Sequence, residues 1–190
     1  VSVSRPEADA MSTRLFPLFA DLSDPWNPHV VGSYSVNYVH DGYIDNDTLY
    51  SSHIYDGILS IVDMSDKQNP VVLGTIETPG QFTHNSWLLN DHKICLTTDE
   101  ATPSYVTSYD VSDPTDIKEL DRVSTNNGNG SIGHNTHVRN DWAITSWYTD
   151  GVVIIDAHKP DNLVIVTSKT GEEILKLVDF GISKPNMRPE

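Results

Sequence analysis

Cysteine is almost missing from this chain of 190 residues, where Cys95 stands alone. An intrachain disulfide is therefore excluded, and Cys95, inside an apolar stretch, reads as a small buried hydrophobe. Long hydrophobic runs are missing as well: nothing approaches the roughly 18 apolar residues of a membrane-spanning helix. Basic residues are scarce, with 12 Lys and Arg against 27 Asp and Glu and a net charge of −15. Nucleic acid and anionic membranes attract basic surfaces, so both are set aside as partners. Apolar residues at helical spacing are not sustained anywhere, which leaves strands to build the core. The chain opens Val1-Ser2-Val3 with neither Met nor a signal-peptide pattern, as a processed or truncated product would.

What the chain does have is a repeated phrase. Asp21-Leu22-Ser23-Asp24-Pro25 returns as Asp63-Met64-Ser65-Asp66, as Asp110-Val111-Ser112-Asp113-Pro114 and as Asp156-Ala157-His158-Lys159-Pro160, with the leading aspartates 42, 47 and 46 residues apart. That period, roughly 40 to 50 residues, is the length of a propeller blade. Other features keep phase with it. An apolar run precedes each Asp, as in Ile58-Leu59-Ser60-Ile61-Val62 and Val152-Val153-Ile154-Ile155, and a turn with a second short strand follows. Further on come His40-Asp41, His84-Asn85 and His134-Asn135, then another strand ending at Asp56-Gly57, Asp99-Glu100 or Asp150-Gly151. Each unit reads as four short strands.

A lone four-stranded sheet cannot bury both faces, so the units are expected to stack around an axis. The fold class read here is all-β: a partial β-propeller of four-stranded antiparallel blades with a C-terminal β-hairpin or irregular tail. The sequence supplies half a blade and three fuller ones, and an incomplete ring would expose sheet edges that invite self-association. The aspartate turns are read as structural, their side chains bonding nearby backbone N–H groups. A calcium loop is the other reading, but the ligand spacing of an EF-hand is not matched.

Leu59-Ser60-Ile61-Val62-Asp63-Met64-Ser65-Asp66 and Val152-Val153-Ile154-Ile155-Asp156, with Asn27-Pro28 and Asn69-Pro70 before the outer strands, resemble the LVIVD repeat over residues 15 to 158. The resemblance implies a propeller of the kind found in surface or secreted proteins, among them the bacterial choice-of-anchor B group, and hence an extracellular or cell-surface location. It implies no activity.

Residues 159 to 190 differ in composition: 5 basic residues balance 5 acidic ones, whereas residues 1 to 158 carry 7 against 22 together with every His, Trp and Tyr. The chain is therefore divided into propeller blades over 1–158 and a segment over 159–190 that is not an independent domain. Lys159-Pro160-Asp161-Asn162 and, further on, Val178-Asp179-Phe180-Gly181 resemble the catalytic loop and magnesium-binding loop of a eukaryotic-type protein kinase. The resemblance implies metal-holding roles for Asn162 and Asp179. Ile155, Asp156 and Ala157 stand where that pattern has its His, Arg and catalytic Asp, and no glycine-rich nucleotide loop precedes them. Phosphoryl transfer is not expected of it.

Histidine is the remaining chemical signal. His40, His84 and His134 hold equivalent places at the start of the innermost strand, near the axis, where imidazoles from several blades can converge on zinc or another divalent metal. His53, His137 and Asp41 are candidates to join them. The competing reading has each His bonding backbone or a neighbouring blade. No cofactor follows firmly, and a divalent metal is the one candidate. The leading expectation for function is a non-enzymatic propeller whose loops, rich in Trp26, Tyr38, Tyr43, Trp87, Trp147 and Tyr148, bind protein or glycan. The alternatives are a metal-dependent enzyme at the axial histidines and an inactive kinase remnant that binds nucleotide with magnesium.

Overall fold

The computed structural model describes residues 17–125, 127–128 and 130–166. Asp179 and the expected C-terminal hairpin lie outside them. The described residues form fourteen strands in four antiparallel sheets. Strands β1 (Leu18–Asp21) and β2 (His29–Ser33) make a two-stranded sheet. Three four-stranded meanders follow, each in chain order. They are β3 (Asp41–Asp45), β4 (Thr48–His53), β5 (Ile58–Asp63) and β6 (Val71–Glu77); β7 (Thr83–Leu88), β8 (Ile94–Asp99), β9 (Val106–Asp110) and β10 (Lys118–Val123); and β11 (Gly133–Arg139), β12 (Trp142–Trp147), β13 (Gly151–Asp156) and β14 (Val164–Ile165). This is a partial β-propeller: half a blade and three whole ones. Among the described residues no helix is long and apolar enough to cross a membrane.

Local chemistry sets the turns. Between β3 and β4, and again between β11 and β12, the two-residue connections are Asn46-Asp47 and Asn140-Asp141, all four residues at positive φ between 44° and 61°. Tight hairpins need that left-handed backbone, and Asn and Asp tolerate it best after glycine. In the repeated phrase, Asp21, Asp63, Asp110 and Asp156 each accept a hydrogen bond from the backbone N–H two residues on, at 2.7 to 3.1 Å. Asp24, Asp66 and Asp113 do the same one step later. The aspartate turns are structural clips.

Packing explains why the central strands carry apolar runs rather than simple alternation. Both faces of an interior blade are covered, so successive residues must be apolar. In β8, Cys95 enters the core shared with the preceding blade beside Tyr50, Leu59 and Ile61, while Ile94 and Leu96 enter the core shared with the next, beside Trp147, Val153 and Ile155. In β5, Val62 turns the other way, toward Tyr34, Leu49 and Met64 under the half-blade. Strand β12 alternates instead, because its second face meets solvent: Ala143, Thr145 and Trp147 are buried, whereas Trp142 and Ile144 are 38% and 42% exposed. The arc is open at this end.

Glycine permits the blades to close on one another. A Cβ on Gly32 would lie 1.7 Å from the carbonyl oxygen of Lys67, and one on Gly74 would lie 1.8 Å from that of Pro114. Both glycines occupy the same place on the outer strand, each against the clip of the next blade.

Candidate functional site

The inner strands β3, β7 and β11 run in the same sense, as contacts between equivalent residues show. Asp41 Oδ2 accepts a hydrogen bond from Asn85 Nδ2 at 2.8 Å, and Asn85 Oδ1 accepts one from the Thr136 N–H at 2.9 Å. Asn85 is 3% exposed and ties three blades together. Two residues on from Asp41, Asn85 and Asn135, the rings of Tyr43, Trp87 and His137 stack in order, with centroids 4.8 and 4.6 Å apart. Above Asn85 the histidines form a matching row: His40 to His84 is 4.5 Å and His84 to His134 is 4.0 Å between centroids. Residues 44 and 50 positions apart thus meet because each begins its blade's first strand.

Glu100 completes the row. It follows β8, and its carboxylate lies 3.4 Å from His84 Nε2 through one oxygen and 3.5 Å from His134 Nε2 through the other. The Tyr148 hydroxyl donates to the oxygen facing His134. Ligand atoms of His40, His84 and Glu100 all lie within 4.8 Å of one another. Two donors on one zinc ion at ~2.1 Å are at most ~4.2 Å apart, so a modest closure would seat an ion. His84 is 4% exposed and its Nδ1 has no hydrogen-bond partner. Burial lowers the affinity of His84 for a proton, with the neighbouring His134 and His40 acting the same way and Glu100 and Asp41 opposing. A neutral imidazole is the form a metal requires.

Two of the three expected histidines therefore stand in the grouping, with His134 beside it against Glu100. His53 does not join. It is fully buried at the end of β4, its nitrogens 3.0 Å from the Tyr38 carbonyl oxygen and 2.9 Å from Ser51 Oγ. His137 packs on Trp87 in the lower tier, and Asp41 is engaged by Asn85. Glu100 was missed by sequence reasoning, although a signal existed. The turn that reads Asp56-Gly57 and Asp150-Gly151 in the other blades reads Asp99-Glu100 here, and a side chain replaces a glycine at the rim. Asn162 lies in the turn between β13 and β14, its N–H donating to the Lys159 carbonyl at 2.9 Å.

No protein-family model matches the sequence, and no curated protein matches it. Neither the LVIVD nor the kinase resemblance gains support from these comparisons. Solved structures do match in shape. A protein of Bacteroides uniformis superposes with a TM-score of 0.63 at 11% identity, over 80% of this chain and 46% of its own. One of Bacteroides fragilis gives 0.61 at 13% identity over 76% and 44%, and one of Lactobacillus plantarum 0.61 at 12% over 73% and 45%. At such identities the likeness shows the fold. The chain spans less than half the length of these structures. Both Bacteroides proteins are named putative 6-phosphogluconolactonases. The expectation of a non-enzymatic module is corrected accordingly: two of these propellers bear the name of an enzyme, and the axial end here gathers imidazole and carboxylate from separate blades, groups suited to chemistry as well as to display.

Proposed function

We propose that the chain carries the metal centre of a metal-dependent hydrolase, with His40, His84 and Glu100 as ligands. The observation that supports it is the convergence of these three side chains, whose ligand atoms lie within 4.8 Å of one another, with Glu100 facing Nε2 of the buried His84. Two imidazoles and one carboxylate are the ligand set of many catalytic zinc sites, where the open position holds water made nucleophilic near neutral pH. The chain's own part is to hold the ligands. Tyr148 fixes one Glu100 oxygen, Asn85 and Asp41 lock the inner strands beneath the histidines, and His134 stands against Glu100 where it can take a proton from a polarised water. The names of the Bacteroides propellers make a cyclic ester a reasonable substrate to try. The repeated aspartate phrase supports grouping residues 1–158 with exported LVIVD-type propellers, and no role in the reaction is proposed for the segment over 159–190.

The test is zinc titration of the purified chain by calorimetry, with bound metal counted by mass spectrometry after dialysis. About one equivalent is expected for the parent and less than half for Glu100→Gln and His84→Ala. Less than half an equivalent on the parent would overturn the reading. Hydrolysis of an aryl ester or of a lactone should follow the bound metal.

A further inference from the structure

The pairing of strands fixes which end of the molecule each residue occupies. The histidine row is at the end where β3, β7 and β11 begin, and the repeated clips and two-residue hairpins are at the opposite end. Among the described residues, cations are sorted sharply by this division. Lys67, Lys93, Lys118, Arg139 and Lys159 all belong to the clip end. Lys67 pairs there with Asp47 and Lys118 with Asp116. At the histidine end there is one, Arg122, on an outermost strand. Its guanidinium is engaged by both oxygens of Glu119, at 2.6 and 2.9 Å, and lies over the Tyr105 ring. That end carries carboxylates of its own: Asp41, Asp56, Glu77, Asp99, Glu100 and Asp150.

Among the described residues an anionic ligand approaching the row would find no Lys or Arg free to receive it, and would have the bound metal as its positive partner. A phosphate is ordinarily held by Arg, Lys or exposed N–H groups at the site. Lys and Arg are missing beside His84 among the described residues. Tyrosines stand there instead. Tyr38 lies 6.2 Å from His40 between centroids and 5.2 Å from Tyr55, and Tyr148 lies 5.7 Å from His134 at the other end of the row. Tyr55 is 76% exposed and Tyr148 57%. Aromatic faces left open to water on both sides of a polar centre are a recognition surface, since scattered single aromatics would not bracket one site. The face of a saturated sugar ring, with its axial C–H bonds, fits such a ring, and its hydroxyls fit the imidazole and carboxylate edge.

We infer that the site takes an uncharged polyhydroxy ring, a sugar or sugar lactone lacking phosphate, seated between Tyr38–Tyr55 and Tyr148 over the histidine row. This rests on the hydrolase reading for the site's location and goes beyond it in naming the substrate class. It also separates this chain from a phosphorylated substrate of the sort named for the Bacteroides propellers.

The experiment is saturation-transfer NMR on the zinc-loaded chain with methyl β-D-glucopyranoside, cellobiose and glucose 6-phosphate as unreactive probes. The two uncharged sugars should bind saturably, glucose 6-phosphate at least ten-fold more weakly, and Tyr55→Ala and Tyr148→Ala should each weaken the sugars about ten-fold, with metal content unchanged in Tyr55→Ala. Both tyrosines are exposed, so the variants should fold as the parent does. Absence of saturable sugar binding, or tighter binding of the phosphorylated probe, would overturn the inference. Metal content measured on the same samples keeps a failure of the metal site distinct from a failure of the sugar reading.

Discussion

His53 Nδ1 lies 3.0 Å from the carbonyl oxygen of Tyr38. A carbonyl only accepts, so Nδ1 carries a proton, while Nε2 meets the Ser51 hydroxyl, which also lies 3.3 Å from the Ser60 carbonyl oxygen. The Nδ1 bond holds the loop from which Tyr38 reaches the histidine row. Burial is the main cause that lowers the proton affinity of His53 below its ordinary value of 6.5, with the Tyr38 hydrogen bond and the Asp56 charge opposing. Between the lowered value and 6.5 the unfolded chain binds a proton that the folded chain does not, so stability rises with pH across this window. Denaturant midpoints should fall as pH drops from 7.5 to 5.5, and His53→Gln should flatten that slope. An unchanged slope in the variant would refute the assignment.

The clips respond at lower pH. Asp21, Asp63, Asp110 and Asp156 each have a carboxyl held below its ordinary value of 3.8, through hydrogen bonds from the residue two positions on. A depressed carboxyl gives stability that is present above 3.8 and lost as pH falls through the folded values. Circular dichroism should therefore show an acid transition below about pH 4. Asp63→Asn combined with Asp110→Asn should make it shallower.

Asn85 joins three blades through one buried side chain. Replacing it by Leu removes the donor to Asp41 and the acceptor for the Thr136 N–H, leaving that N–H buried without a partner. Urea unfolding should show a loss of about 1 to 3 kcal/mol. Asn85→Asp should restore the acceptor but set a charge beside Asp41, and is expected to recover little.

Gly74→Ala tests blade spacing. The added methyl would fall 1.8 Å from the Pro114 carbonyl, and neither backbone can yield without opening the joint. A loss of about 1 to 3 kcal/mol is expected, comparable to other overpacking. Truncating a buried core side chain, as in Leu96→Ala, should cost about 2 to 5 kcal/mol and serves as the scale for both. An alanine at 74 with parental stability would show that the blades are not in contact there.

The period of the Asp-x-Ser-Asp phrase determined the fold class, because the phrase marks a turn that every blade must make in the same place and the apolar runs beside it cannot be buried except between copies. The equivalence of His40, His84 and His134 was legible for the same reason: residues at one position of a repeat face one axis. Which of them act together was decided only by tertiary structure. Local spacing puts His53 at the end of the strand next to that of His40 and His137 on the same strand as His134, but burial against Tyr38 removes the first and stacking on Trp87 the second. Glu100 and Tyr148 enter the site from rim turns of adjacent blades, and their meeting depends on how two sheets lie side by side, a distance that no local pattern of residues records.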